Sequence, residues 1–306
     1  MEDIMPIIGQ NMLRISDKYF WAEPLAEYAR AFIREKQAES MRFGLLTVLH
    51  YRMFGGNSES IYQAAAAVEL FILASDILDD LQDGDAPHQA WSQVPAAAAM
   101  QVAVSLIVLS QQAILELEFG QAELIRVMRM MNEQLLKAAN GQMLDLMNAV
   151  TDEESYLRVV QHKSAALIVF ACMTGVMLTG RDWHPIVAEY AEEVGMAAQI
   201  KNDIRDLLRW DDKNDFILRK KTLLTLFLLE EIAEQDQWIA DYFEGKISLA
   251  DVLDRQQMLE EACNRTGAAL YGSVHMRMHF NRFQELLDDV PEAASDKDKL
   301  LQIFSS

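Results

Sequence analysis

The sequence predicts an all-α protein. Apolar residues make up 51% of the 306 positions, with only 13 glycines and 6 prolines. The apolar stretches also run longer than strands do, which suits long helices joined by short turns.

Residues 20 to 54 read as helices with mixed faces, broken at Phe54-Gly55-Gly56-Asn57, and Glu59 to Leu81 reads as one long helix. The next break is Gly84-Asp85-Ala86-Pro87. An apolar helix fills Pro95 to about Glu118 and another runs from Gln121 to Val150, with Thr151 and Asp152 placed to cap the helix that leads to Lys163. The run Ser164 to Gly180 is nearly uncharged, but it falls short of a spanning length and contains Ser, Thr and two Gly, so it reads as a buried core helix. A helix from about His184 to Trp210 follows, with Pro185 in its first turn. The polar stretch Asp211 to Asp215 interrupts, Lys220 opens the apolar segment Thr222 to Leu229, and amphipathic helices continue to about Leu287, ending near Pro291. The tail from Ala293 to Lys299 is expected to fray. With no linker-like stretch, low-complexity tract or short repeat, residues 1–306 read as a single domain.

A formal charge of −20 repels nucleic acid and anionic lipid heads, so an anionic substrate must be met by local cations or bound metal. Cys172 and Cys263 stand apart without a CxxC pattern and read as buried free thiols. The start, MEDIMPIIGQ, lacks the basic opening and cleavage site of a secretory signal. The expectation is a cytoplasmic protein without a transmembrane segment and without nucleic acid partners.

Two acidic stripes carry the chemistry. Asp76, Asp79, Asp80 and Asp83 fall at i, i+3, i+4 and i+7, and Gln199, Asn202, Asp203 and Asp206 repeat that spacing. A solvated surface face is the ordinary meaning of such a stripe. Here each follows a segment that is apolar on nearly every side, so the carboxylates project from the mouth of a core. Like charges at these spacings cost a few tenths of a kcal/mol each, and more when partly desolvated. A bound cation reverses that cost. Mg²⁺ takes oxygen ligands, one or two carboxylates per ion, and completes its shell with water and phosphate oxygens. Two such stripes suit a small ion cluster with a diphosphate. Lys163, Lys220 and Lys221 stand at the entrances of apolar segments; each reads alone as a surface charge, and together in so acidic a chain as a diphosphate cradle.

These residues resemble the trans-isoprenyl diphosphate synthase family. Asp79-Asp80-Leu-Gln-Asp83 is similar to its first DDxxD motif, Gly141-Gln142-Met-Leu-Asp145-Leu to its GQxxDL segment, and Lys163-Ser164 to its KT pair. Gln199-Ile-Lys-Asn202-Asp203-Ile-Arg-Asp206 is similar to its second motif, QxxDDxxD, and Lys220-Lys221-Thr222-Leu to its GKxTL element. Five elements in family order over roughly residues 55 to 230 imply a helical bundle around a central active-site cavity and Mg²⁺-assisted ionisation of an allylic diphosphate. By this resemblance Asp79, Asp83 and Asp203 bind metal, with Asp80, Asn202 and Asp206 as additional or outer ligands. Lys163 and Lys220 supply fixed charge to the leaving group, with Lys221 and Arg205 as further substrate-binding candidates. Gln142 and Gln199 either orient the carbocation or satisfy backbone groups. The Met-rich stretch 128–147 reads as core packing or as an adaptable isoprenoid pocket.

The departures bear on the acceptor. Elongating members carry GKRxRP before the Gly-Gly turn, a His ahead of DDxxD and an Arg-Arg pair after it, resembling a second diphosphate pocket. Here the first positions hold Glu39, Ser40, Met41, Arg42, Phe43 and Gly44, the His position holds Ile72, and GDAPHQAW follows Asp83. Arg42, His50, Arg52 and His88 are the nearby candidates to rebuild it. The runs LHYRMFGG, ILASDILDDLQDGD, the following Trp91, and QIKNDIRDLLRWDDKNDFILRKKTL resemble the ComQ-type isoprenyl transferases, which attach farnesyl or geranyl to a tryptophan of the ComX quorum-sensing pheromone precursor. The resemblance implies an allylic isoprenoid diphosphate and a small peptide acceptor as partners, and a homodimer is a further expectation that the sequence alone does not fix. A polyprenyl diphosphate synthase or terpene synthase is the alternative activity, and an inactive subunit of a heteromeric synthase the alternative to an enzyme.

Overall fold

A computed structural model describes residues 4–84, 86–210 and 214–305. Asp85 and Asp211 to Lys213, which belong to two of the expected interruptions, lie outside the described residues. Among the described residues every regular element is helical and none is a strand, as the composition predicts. The chain divides into two compact units: residues 1–136, 167–191 and 286–306, and residues 137–166 and 192–285. The divisions fall inside helices, not at a linker.

In the first unit α1 (Met5–Tyr19), α2 (Glu23–Ala38), α3 (Arg42–Met53), α4 (Ile61–Asp83) and α5 (Ala96–Leu115) follow in order, with a 3-10 turn at Ala90–Gln93. The helix α4 is the centre. Every residue from Ala64 to Ala74 is buried, so it is covered on all sides, and its run of alanines lets α3, α5 and α1 approach closely. It ends where Gly84 takes a left-handed conformation (φ 69°) and its N–H caps the carbonyl of Asp80. Parts of α6 (Gln121–Leu146), α8 (Ala166–Met177) and α9 (Pro185–Leu208) complete this unit with α14 (Lys297–Ser305).

Two terminal helices depart from expectation. Ile8, Met12 and Ile15, spaced at i, i+4 and i+7, form the buried stripe of α1, ahead of the residues where the sequence reading of helices begins. At the other end the tail continues as α14 instead of fraying, because Leu300 and Ile303 are buried.

The second unit holds the rest of α6, then α7 (Glu153–Val160), a π-helical segment Gln161–Ala165, most of α9, and α10 (Leu223–Glu231), α11 (Gln237–Phe243), α12 (Gln256–Thr266) and α13 (Ala268–Asp288). Asp152 caps α7 as expected, reciprocated by Ser155. Its core gathers Ile200, Leu207, Phe216, Leu224, Leu228, Ile239 and Tyr242, with the Phe216 ring 5.1 Å from Tyr242 and 5.7 Å from Trp238.

Three helical runs are long and apolar enough to cross a membrane by length and composition: Ile61–Asp83, Ala96–Leu115 and Glu153–Met177. The first and third are 72% buried within the protein over their apolar windows, which makes them core helices. The third covers the expected core helix from Ser164 to Met177, ends three residues short of Gly180, and extends it upstream through Lys163. Cys172 and Cys263 are buried free thiols.

Helix α8 meets α3 at Gly175, where a Cβ would stand 2.3 Å from the carbonyl oxygen of Thr47 and 2.8 Å from the amide of Tyr51. Backbone on the far side cannot give way as a side chain would. Gly175→Ala should therefore destabilise the protein by ~1–3 kcal/mol through overpacking, read as a lower urea midpoint at unchanged m-value.

Candidate active site

The first stripe occupies the last two turns of α4, where the helix leaves the core. Asp76, Asp79, Asp80 and Asp83 are all partly exposed. Asp76 and Asp80 meet donors from α2 and from the turn that follows α4. Lys36 of α2, itself buried, places its ammonium 2.8 Å from Asp76 and 3.4 Å from Glu39, and the indole N–H of Trp91 donates to Asp80 at 2.8 Å. One more acid lies beneath: Glu69, fully buried, accepts the amide of Gly44 at 2.6 Å, while its other oxygen has no partner. Burial pushes the Glu69 carboxyl up to about 7, against the opposing pull of Lys36, and burial also raises Asp76. For Lys36 burial acts the other way, yet Asp76, Glu69 and Glu39 outweigh it and hold the ammonium well above its usual range.

Two of the four candidates for rebuilding a second basic pocket are already committed. His50 is buried, with its ring bonded to the Leu46 carbonyl and to the Tyr190 hydroxyl, and burial lowers it to about 4, so it stays neutral. Arg52 pairs with Glu59 at 3.1 Å. Arg42 and His88 point to solvent.

The second stripe lies on α9 in the other unit. Asp203, 4% exposed, has both oxygens occupied by neutral donors, the Gln199 amide at 2.8 Å and the Tyr156 hydroxyl at 2.5 Å. Gln199 in turn accepts from Ser164 at 2.8 Å, which joins the lysine-serine pair to the stripe. Burial raises Asp203 to about 6; the two hydrogen bonds oppose this, and the charges of Asp206 and Asp145 add to it. Asn202 is exposed. Asp206 is gripped by Arg205 at 2.9 and 3.2 Å and approached by Arg209 at 3.4 Å, so two of the expected site residues, Arg205 and Asp206, bind each other.

Lys163 stands on the π-helical segment and pairs with Asp145 of α6 at 2.6 Å. A π turn adds a residue to the helix and redirects the side chains on it, which is why such turns recur at functional sites. The close approach requires Gly141, where a Cβ would meet the Lys163 amide at 2.4 Å. Gln142, next to it, is partly buried. Lys220 and Lys221 immediately precede Thr222, the N-cap of α10. Cations at a helix N-terminus oppose the helix dipole unless an anion joins them.

Asp215 was not legible as a site residue. It is buried, one of its oxygens is unpartnered, and its carboxyl is raised well above its usual range, first by burial and then by the charge of Asp203, with Lys220 opposing. Its signal was present in the acidic break before the apolar Phe216, but that break reads equally as a plain loop. Tyr156 gave no signal at all.

No three His, Cys, Asp or Glu side chains among the described residues converge as a ready-made metal cage. The donors are nevertheless all oxygen, and in the second unit the charges of Asp145 and Asp206 add to the raised proton affinity of buried Asp203 and Asp215. An orphaned carboxylate oxygen in such a group fits a hard divalent cation whose shell is completed by water and substrate oxygens.

An unfolded aspartate releases its proton near 3.8, whereas buried Asp203 keeps it to about 6. Between those values the folded chain binds a proton that the unfolded chain has lost, so stability falls as pH rises through this window. Relative to Asp203→Asn, the metal-free protein should lose on the order of 2–3 kcal/mol between pH 4 and 6, measured by urea denaturation. Parallel pH profiles for the two proteins would refute the assignment.

The polyprenyl synthetase family model matches residues 32–262. The tryptophan prenyltransferase ComQ of Bacillus subtilis (strain 168) is 28% identical over 290 residues, 94% of this chain and 93% of its own length, and that of Bacillus spizizenii is 29% identical over 256 residues, 83% and 89%. A short chain isoprenyl diphosphate synthase of Methanothermobacter thermautotrophicus is 27% identical, covering 79% of this chain and 78% of its own. Among solved structures, a polyprenyl synthetase from Streptomyces coelicolor A3(2) superposes with a TM-score of 0.84 at 22% identity, over 100% of this chain and 97% of its own, which shows the shared fold. With the acidic stripes, the lysines and the helical architecture in place, the chain belongs to the polyprenyl synthetase family and is a prenyltransferase.

Proposed function

We propose that this prenyltransferase uses Mg²⁺ to ionise geranyl or farnesyl diphosphate and passes the prenyl group to a tryptophan of a small peptide. The observation that carries the metal-dependent step is the crowding of Asp203 and Asp215 beside Lys220, with an unpartnered carboxylate oxygen inside it. The peptide acceptor rests first on the tryptophan prenyltransferases among the relatives and second on His50, which burial holds neutral where a second diphosphate would need a cation.

In this reading Asp79, Asp83 and Asp203 are the principal metal ligands, with Asp80, Asn202 and Asp206 in support. Mg²⁺, when bound, takes up charge on the departing diphosphate. Lys163, Lys220 and Lys221 hold the same oxygens by charge-assisted hydrogen bonds that strengthen as the allylic C–O bond breaks and its electron pair passes to the diphosphate. Asp145 keeps the Lys163 ammonium on station. Gln142 and Gln199 present amide oxygens to the allylic cation, that of Gln199 while also accepting from Ser164; an indole carbon of the acceptor closes the new bond, and the ring gives up a proton to the departed diphosphate. Arg205 is a reserve diphosphate contact, available if Asp206 turns to metal.

We propose further that the chain acts in the cytoplasm, as one catalytic domain, and as a homodimer. The support for self-association is the exposed stripe Met100, Val104 and Val108 on α5, a helix with no charged residue from Ala96 to Leu115. In a chain of −20 an uncharged apolar face is where two copies meet without repulsion.

Activity should vanish with excess chelator, and Asp79→Ala and Asp203→Ala should each lower turnover by orders of magnitude at unchanged helicity by circular dichroism. Turnover that survives chelation would remove the metal from the mechanism.

Incubated with geranyl or farnesyl diphosphate, Mg²⁺, radiolabelled isopentenyl diphosphate and a tryptophan peptide, the protein should yield prenylated peptide and no longer diphosphate. Two diphosphates side by side repel by several kcal/mol even at high effective dielectric. Rapid elongation would restore a polyprenyl diphosphate synthase, a cyclic product without peptide a terpene synthase, and no product under any condition an inactive subunit.

A further inference from the structure

Asp80 differs from Asp76 in how it is held. The Trp91 indole that binds it is 2% exposed and lies edge-on to Phe32 of α2, with ring centroids 5.9 Å apart at 81°. Phe32 is itself fully buried. The turn that carries the tryptophan is pinned as well: the Ala90 amide donates to Glu35 at 2.7 Å, and the Gln93 side chain donates to the Pro87 carbonyl. Both the plane of the ring and the direction of its N–H are thus set by α2 and the turn.

The type of donor matters. An ammonium, as Lys36 offers Asp76, cancels the charge it meets. An indole N–H is a donor only, carries no charge and does not release its proton near neutrality. It therefore orients the Asp80 carboxylate through one oxygen, Oδ2, and adds no positive charge to the stripe. A buried, clamped, neutral donor is a costly way to satisfy a partly exposed carboxylate that water would solvate freely, unless the orientation itself is used.

We propose that Trp91 is a positioning residue of the first acidic stripe, fixing the Asp80 carboxylate in the orientation with which the stripe receives divalent cation and diphosphate. The inference rests on the Mg²⁺-dependent reading above. It assigns to the indole no contact with substrate.

The test reads binding, not turnover. With inorganic pyrophosphate in excess, the Mg²⁺ concentration that half-saturates the rise in melting temperature is measured for the wild-type chain and for Trp91→Phe, which keeps an aromatic ring against Phe32 and loses the N–H. Half-saturation should move up by roughly three- to tenfold, the worth of one hydrogen bond. In an Asp80→Asn background the same tryptophan substitution should move it little further, since the carboxylate it orients is gone. Glu35→Ala loosens the turn from a partly exposed position and should shift half-saturation in the same direction by a smaller factor, so it carries the test if Trp91→Phe does not fold. A role in packing alone would lower the metal-free melting temperature and leave half-saturation unmoved in both variants, and that result overturns the proposal. A wild-type chain that shows no Mg²⁺-dependent shift with pyrophosphate would overturn the metal reading itself.

Discussion

Several carboxylates on one helical face repel each other, and most of what is distinctive in this structure follows from keeping them there. The first stripe, Asp76, Asp79, Asp80 and Asp83, is opposed at every spacing by like charge and the second at the spacing of Asp203 to Asp206, and burial at the end of an apolar helix magnifies the opposition. Each unit meets it with a different set of donors. In the first, Lys36 offsets Asp76 and Trp91 orients Asp80. In the second, Asp203 is held by Tyr156 and Gln199, both neutral, while Arg205 and Arg209 close on Asp206 and Lys163 on Asp145. Neutral donors hold a carboxylate in place without discharging it, so the stripes keep negative charge to spend on a cation.

These donors explain features that otherwise look incidental. The helix α2 presents Phe32, Glu35 and Lys36 within little more than one turn, and each serves the first stripe or the turn behind it. The π-helical segment carries Lys163 to Asp145, and Gly141 removes the side chain that would block it. Downstream, Asn214 is fully buried and closes the C-terminus of α9 by donating to the carbonyls of Asp206 and Leu207 while accepting from Ile217. That closure sets where Asp215 and Lys220 stand.

The stripes were legible in the sequence because helical spacing is local: Asp76 to Asp83 and Gln199 to Asp206 can be placed on a face by counting. The long core helices were legible for the same reason. What holds the stripes was not, since Lys36 is 40 residues from Asp76 and Tyr156 is 47 from Asp203, and nothing in a local pattern marks such pairs. Trp91 drew notice only as part of a resemblance, without a role. The π turn was hidden too, because one inserted residue changes backbone bonding without changing composition. Helix α14 was misjudged because among its described side chains it buries only Leu300 and Ile303, a signal too thin for periodicity to separate from an amphipathic tail, whereas Ile8, Met12 and Ile15 of α1 do carry the helical period.

The fold by itself leaves the acceptor open. A backbone superposing at a TM-score of 0.84 with 22% identity shows that this helical arrangement tolerates replacement of most of its side chains, and chemistry resides in those that remain or change. Here the changes are electrostatic. Ile72 stands, fully covered, in the core of α4, so it presents neither charge nor donor. Lys36 and His50 are cationic or titratable in principle, but one is bound among three carboxylates and the other is held neutral by burial. A second anionic substrate approaching this half of the chain would meet the acidic stripe with only exposed Arg42 and His88, and Arg52 already paired with Glu59, to offset it. A neutral aromatic acceptor would meet no such barrier, since an indole carbon needs only an apolar approach and a cation to attack. The same helices can thus serve elongation or aromatic prenylation, and which of them they serve is decided by whether a few lysines and histidines are left free to face a second diphosphate.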